Sequence, residues 1–187
     1  MDVSIQENTF SFGVGYVIET PKATVQAQKK IFSLLPHIEL HTSDGSRLAT
    51  ITGESFFRTK FEIKLAAGGS YEYHCEKFWK SVDICEGEGG PYRLYAHRGV
   101  RYSIFQNDTQ IAAFSKNRLI IGNGRHFDLR VNSDVNLPLI ISMVLCLNTE
   151  NGDDEDQNTV AYDFGQLGPE DRKFDETWRP DDERSPS

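Results

Sequence analysis

The sequence predicts a mainly β domain, a barrel or a sandwich, with one hydrophobic helix buried near its C-terminal end. Three observations predict it. Apolar and polar residues alternate along Phe61-Glu62-Ile63-Lys64-Leu65 and again along Phe127-Asp128-Leu129-Arg130-Val131, as half-buried strands do. Turn signals recur at roughly 8–12-residue spacing, the rhythm of barrels and sandwiches. Leu137 to Leu147 is the one long apolar run, Leu-Pro-Leu-Ile-Ile-Ser-Met-Val-Leu-Cys-Leu. As a helix it spans roughly 16 Å, well short of the ~20 residues that cross a bilayer. A helix apolar all round must be buried all round, so Leu137, Ile140, Ile141, Val144 and Leu145 are assigned to the core.

The elements follow in order. Residues 1–35 admit alternatives: Phe10 to Val17 as a strand bulged at Gly13 and Gly15, and Thr24 to Leu35 as a short helix or an extended segment before Pro36. His37 to His41 alternates as a strand, Ser43-Asp44-Gly45 turns, and Leu48 to Thr52 returns. Arg58 to Leu65 is the clearest alternation, closed by the Gly68-Gly69 turn. Ser70 to Lys80 is an aromatic strand, and Gly87 to Pro91 breaks the chain. Tyr92 to His97, Arg101 to Phe105 and Gln110 to Ser115 are short strands. Arg118 to Val131 reads as a hairpin around Gly122-Asn123-Gly124, residues tolerant of positive φ. Helix-start residues Asn132 to Asn136, with Pro138 in the first turn, open a helix over about 136–148.

Charge separates a body from a tail. Residues 150–187 hold 13 acidic and 4 basic side chains, a local charge of −9 against −8 for the whole chain, which leaves residues 1–149 near +1. The pI near 5.1 therefore describes the tail. Domain 1–149 is expected to fold, and 150–187 to be an acidic, disordered tail, with Val160 to Leu167 able to dock on the body or on a partner. A near-neutral body gives no case for nucleic acid. Cys75, Cys85 and Cys146 are odd in number and lack a CxxC spacing, which argues against a disulfide framework or zinc knuckle. No signal-peptide pattern is visible, so a cytoplasmic protein without a transmembrane segment is expected.

In this order the elements resemble the C-terminal part of the tubby-like superfamily, specifically its LURP-one-related branch, which is also similar to phospholipid scramblases. The resemblance is carried by Ile38-Glu39-Leu40-His41 with Asp44-Gly45, by Ile111-Ala112-Ala113-Phe114-Ser115-Lys116, by Phe127 to Val131, and by Asp134 leading into Leu137-Pro138-Leu139-Ile140-Ile141. It covers about residues 30–149. It implies a closed antiparallel barrel of about twelve strands around a central C-terminal helix. It also implies a non-enzymatic module that binds anionic phospholipid headgroups, peripheral to a membrane.

The candidate headgroup residues are Arg58, Lys60 and Lys64 on one outward strand face, with Arg98 and Arg101 in a second region. Clustered cations gain about 1 kcal/mol each near an anionic leaflet. The alternative is a scaffold without a lipid role, capturing a protein through the tail or the aromatic Tyr71 to Trp79 strand. No cofactor, metal or catalytic residue is assigned. His37 and His41 stand roughly 13 Å apart along a strand, too far for one metal. His74 and Cys75 point to opposite faces, which suits no nucleophile pair. The run Asp153 to Asp156 lacks the spacing and glycine of an EF-hand loop.

Overall fold

The computed structural model describes residues 1–10, 13–30, 35–54, 60–77, 81–117, 119–120, 124–150, 161–162 and 165–181. Arg58, Trp79, Gly122, Asn123 and the acidic run 153–156 lie outside them.

Twelve strands close into one antiparallel barrel. In chain order they are β1 (Asp2–Phe10), β2 (Gly13–Glu19), β3 (Thr24–Lys29), β4 (His37–Thr42), β5 (Arg47–Gly53), β6 (Lys60–Leu65), β7 (Ser70–Lys77), β8 (Val82–Glu86), β9 (Tyr92–His97), β10 (Arg101–Gln106), β11 (Thr109–Lys116) and, after a short β12 (Leu119–Ile120), β13 (His126–Val131). Neighbours in sequence pair up as hairpins from β1 to β11. Closure comes from β1, which pairs with β13 from Asp2↔Arg130 to Gln6↔His126 and with β2 on its other side. Full closure leaves none of the twelve as an open edge. Turn chemistry supports the hairpins. Asn107 and Asp108, between β10 and β11, both have positive φ (48° and 64°), the backbone of a type I′ turn.

The apolar run forms α1 (Leu137–Glu150). Asn136 caps it, its side-chain oxygen accepting from the Leu139 N–H at 3.3 Å. Every residue from Leu139 to Cys146 is at most 1% exposed. A helix with no face to solvent, sharing one core with inward residues such as Ile5, Ile38, Ile63, Leu94 and Leu129, runs inside the barrel. Its hydroxyls are satisfied within the helix: Ser142 Oγ donates to the Pro138 carbonyl at 2.7 Å and Thr149 Oγ1 to that of Leu145 at 2.9 Å. At the far end Asn148 closes the plug, donating to Tyr16 Oη at 3.0 Å and Glu7 Oε1 at 3.1 Å and accepting from Arg125 at 3.1 Å.

Three expectations are corrected and one strand is added. Phe10 ends β1 and Gly13–Glu19 is β2, two paired strands rather than one bulged strand, whereas Thr24–Lys29 takes the extended one of its two alternatives. β8 has no counterpart in the sequence reading. The turn before it is made by Ser81 at φ 48°, with no Gly, Pro or Asn to announce it. Among the described residues the expected 118–131 hairpin is not seen: β12 pairs with β14 (Ala161–Tyr162) in a separate two-stranded sheet, and β13 joins β11 and β1. Finally, residues 165–181 of the expected disordered tail lie packed along the barrel.

Candidate functional site: the cleft beneath the C-terminal strap

Residues 165–181 form a strap over the outer face of β9, β10 and β11. It begins where Gln166 exchanges two backbone hydrogen bonds with Gly99, at 2.9 and 3.3 Å. Close approach there requires glycine: Gly165 has φ 63°, and a Cβ would strike the Gly99 carbonyl. Glu170 then accepts from the Arg98 N–H at 2.6 Å, and Asp171 pairs with Lys77 at 2.9 Å.

The centre of the strap covers an apolar patch on the outside of the wall. Val82, Tyr95 and Phe105 form a small second core there. The Arg172 guanidinium lies 4.1 Å over the Phe105 ring and 5.3 Å over Tyr95, and it bonds Asp108 at 3.1 Å. Such cation–π contacts are worth about 0.5–2 kcal/mol. Beside them His97 is fully buried. It meets Ser103 Oγ at 2.6 Å, the Arg172 carbonyl at 3.1 Å and the edge of Phe174 at 5.1 Å. Arg101 crosses over Phe174 at 4.7 Å to pair with Glu176 at 2.9 Å.

Between the end of the strap and the wall lies a cleft of about 680 Å³. Its floor is one cross-strand row, Arg101↔Ser115↔Asp128↔Ser4↔Glu19, over β10, β11, β13, β1 and β2. The reason for the depression is local. Ser115 and Ser4 are small, and Ala113 stands in the next row beside Arg130 and Asp2. Phe174, Trp178 and Arg179 of the strap make the other wall. The indole Nε1 of Trp178 is buried without a hydrogen-bond partner. The cleft lining carries Arg101, Arg130 and Arg179 against Asp2, Glu19, Asp128, Asp175 and Glu176, a balance of −2.

The described residues among those expected to bind headgroups fall in two separate regions, Lys60 and Lys64 on β6 and Arg98 and Arg101 beside the strap. Lys60 sits between Glu72 at 2.7 Å and Glu54 at 3.2 Å, which hold its ammonium above the ordinary lysine value. Lys64 pairs with Glu62 at 2.8 Å. Arg98 is exposed beside the start of the strap, and Arg101 lines the cleft. β6 and β10 are four strand spacings apart in the wall, roughly 19 Å. Arg58 lies outside the described residues. Of the aromatic strand, Tyr71 and Tyr73 are buried in the core, and Trp79 lies outside the described residues.

The His37-Glu39-His41 face is an ion-pair cluster. Glu39 accepts from Lys30 at 2.9 Å and faces His37 at 3.2 Å and His41 at 3.4 Å. Lys30, then His37, hold its carboxyl down at about 2. Neither His74 nor His97 lines the cleft. Phe174 and Trp178 were not singled out from the sequence; the aromatics and Pro180 in an otherwise charged tail were the available signal.

No family model, curated protein or solved structure matches this chain. No helix among the described residues is long and apolar enough to cross a membrane.

Proposed function

We propose that this protein is a non-enzymatic, tubby-like binding module that holds a segment of a partner protein in the cleft under its strap. The closed barrel around a buried helix supports the tubby-like reading, being the architecture that the resemblance implies. With the barrel filled by α1, binding falls to the outer face. The observation that carries the choice of partner is the charge of the cleft. Five carboxylates against three guanidinium groups repel a polyanionic headgroup, and Lys60, Lys64 and Arg101 are already paired with carboxylates. Arg and Trp beside small floor residues are the side chains that dominate protein–protein contacts. Asp128 in the middle of the row and Glu19 at its end favour a segment bearing a basic side chain.

The test is selection of a random peptide library on the full chain, alongside pelleting with vesicles containing phosphatidylserine and a phosphoinositide. Enrichment of peptides with a basic residue, lost on Ser115→Arg, is the expected result. Ser115 is on the cleft floor, so the larger side chain fills the cleft without entering the core. Vesicle binding that survives Ser115→Arg, with no peptide enriched, would favour the lipid reading and sink this one.

A further inference from the structure

Away from the cleft, three donors converge on the outer wall where β7 meets β8. Glu72 and His74 are two apart on β7 and so share a face. Glu86 on β8 is the direct cross-strand partner of Glu72. One carboxylate oxygen from each glutamate and a ring nitrogen of His74 all lie within 4.8 Å of one another. We propose that Glu72, His74 and Glu86 bind a divalent transition metal of the zinc type.

Three features set this cluster apart from ordinary surface acids. First, His74 Nδ1 is buried and has no hydrogen-bond partner, although it stands only 3.5 Å from Glu72 Oε1. Two donors held ~2.0–2.1 Å from a tetrahedral metal are about 3.4 Å apart. That pair therefore already has the spacing of a tetrahedral edge without being a hydrogen bond. Second, Glu72 is oriented from behind. Lys60 holds its other oxygen, Oε2, at 2.7 Å, as outer partners of metal-binding carboxylates do. Third, the strand register places like charges directly opposite. Glu72 faces Glu86 on one side and Glu62 on the other, an arrangement that costs stability unless a cation intervenes. Lys60 and Lys64 serve Glu72 and Glu62. Glu86 has no ion-pair partner among the described residues.

One imidazole with two carboxylates suits zinc, iron, nickel or cobalt better than the all-oxygen shells of calcium and magnesium. Glu86 is exposed, so its side chain is free to rotate toward the other two. Bound metal would clasp β7 to β8 beside the bulge at Cys75–Lys77.

The test titrates the full chain with Zn²⁺ by calorimetry and with Co²⁺ by visible absorption. One equivalent is expected to bind, with tetrahedral-type Co²⁺ bands and a rise in melting temperature. His74→Ala and Glu86→Gln should each weaken binding more than about tenfold, whereas His41→Ala should leave it unchanged. On the outer wall Glu86 is exposed and His74 half-buried, and circular dichroism checks the fold of both variants. Binding that persists in both variants, or that excess Ca²⁺ or Mg²⁺ displaces equally well, overturns the proposal, as does no binding at all.

Discussion

His97 donates its Nδ1 hydrogen to the backbone carbonyl of Arg172 at 3.1 Å, across 75 residues of chain. A carbonyl only accepts, so this bond sets the tautomer, and Nε2 of the neutral ring receives the Ser103 hydroxyl at 2.6 Å. The strap is thus pinned to the barrel by an imidazole that its own docking buries.

That burial pushes the His97 pKa down, opposed by Glu170 and the Arg172 carbonyl and assisted by Arg101. The undocked state, with His97 hydrated near its ordinary value of about 6.5, binds more protons than the docked one. Docking stability present above that value is therefore lost as pH falls through it. Hydrogen exchange, corrected for its intrinsic pH dependence, should show residues 166–174 opening more at pH ~5.5 than at pH ~7.5. His97→Gln should flatten the difference.

Gly165→Ala should release the strap more completely. Its Cβ meets the Gly99 carbonyl, and the residue stands at φ 63°, so strain and clash act together at a cost of more than about 1 kcal/mol. Proteolysis at Arg172 or Lys173 should accelerate while the barrel amides stay protected. Unchanged cleavage would show that the strap does not depend on this contact.

Asp83 faces the barrel interior, where Tyr73 Oη donates to it at 2.9 Å. Burial pushes its carboxyl up to about 6. The folded state therefore prefers the protonated form. Stability is lost as pH rises from the unfolded value near 3.9 through about 6, where the folded group ionises. Asp83→Asn should remove that slope and raise stability at pH ~7 by on the order of 2 kcal/mol, read from urea unfolding at a series of pH values.

Ile141→Asp should abolish soluble folding, because an unpaired charge within α1, at a site 1% exposed, costs several kcal/mol, comparable to total domain stability. Ile141→Val is the control and should cost only about 0.5–1.5 kcal/mol. Chemical denaturation separates the two outcomes.

Legibility followed the range of the interactions. Phe61, Ile63 and Leu65 were readable as an inward face because strand alternation is local, and the 137–147 run because its apolarity has no polar side. β8 was not readable: its turn rests on Ser81, whose positive φ no residue type signalled. Nor was the cleft, whose floor row draws one residue from each of five strands between Ser4 and Asp128.

By itself, then, the sequence determined a β wall, a buried helix and a near-neutral body with an acidic extension. Each is written in composition or in a period of a few residues. Only the tertiary structure decided that β1 seals the barrel against β13, that residues 165–181 lie over Tyr95 and Phe105, and that the outward lysines are spent on neighbouring carboxylates. Those outcomes depend on pairings across tens to more than a hundred residues, where the shape of the closed wall, not local pattern, selects the partner.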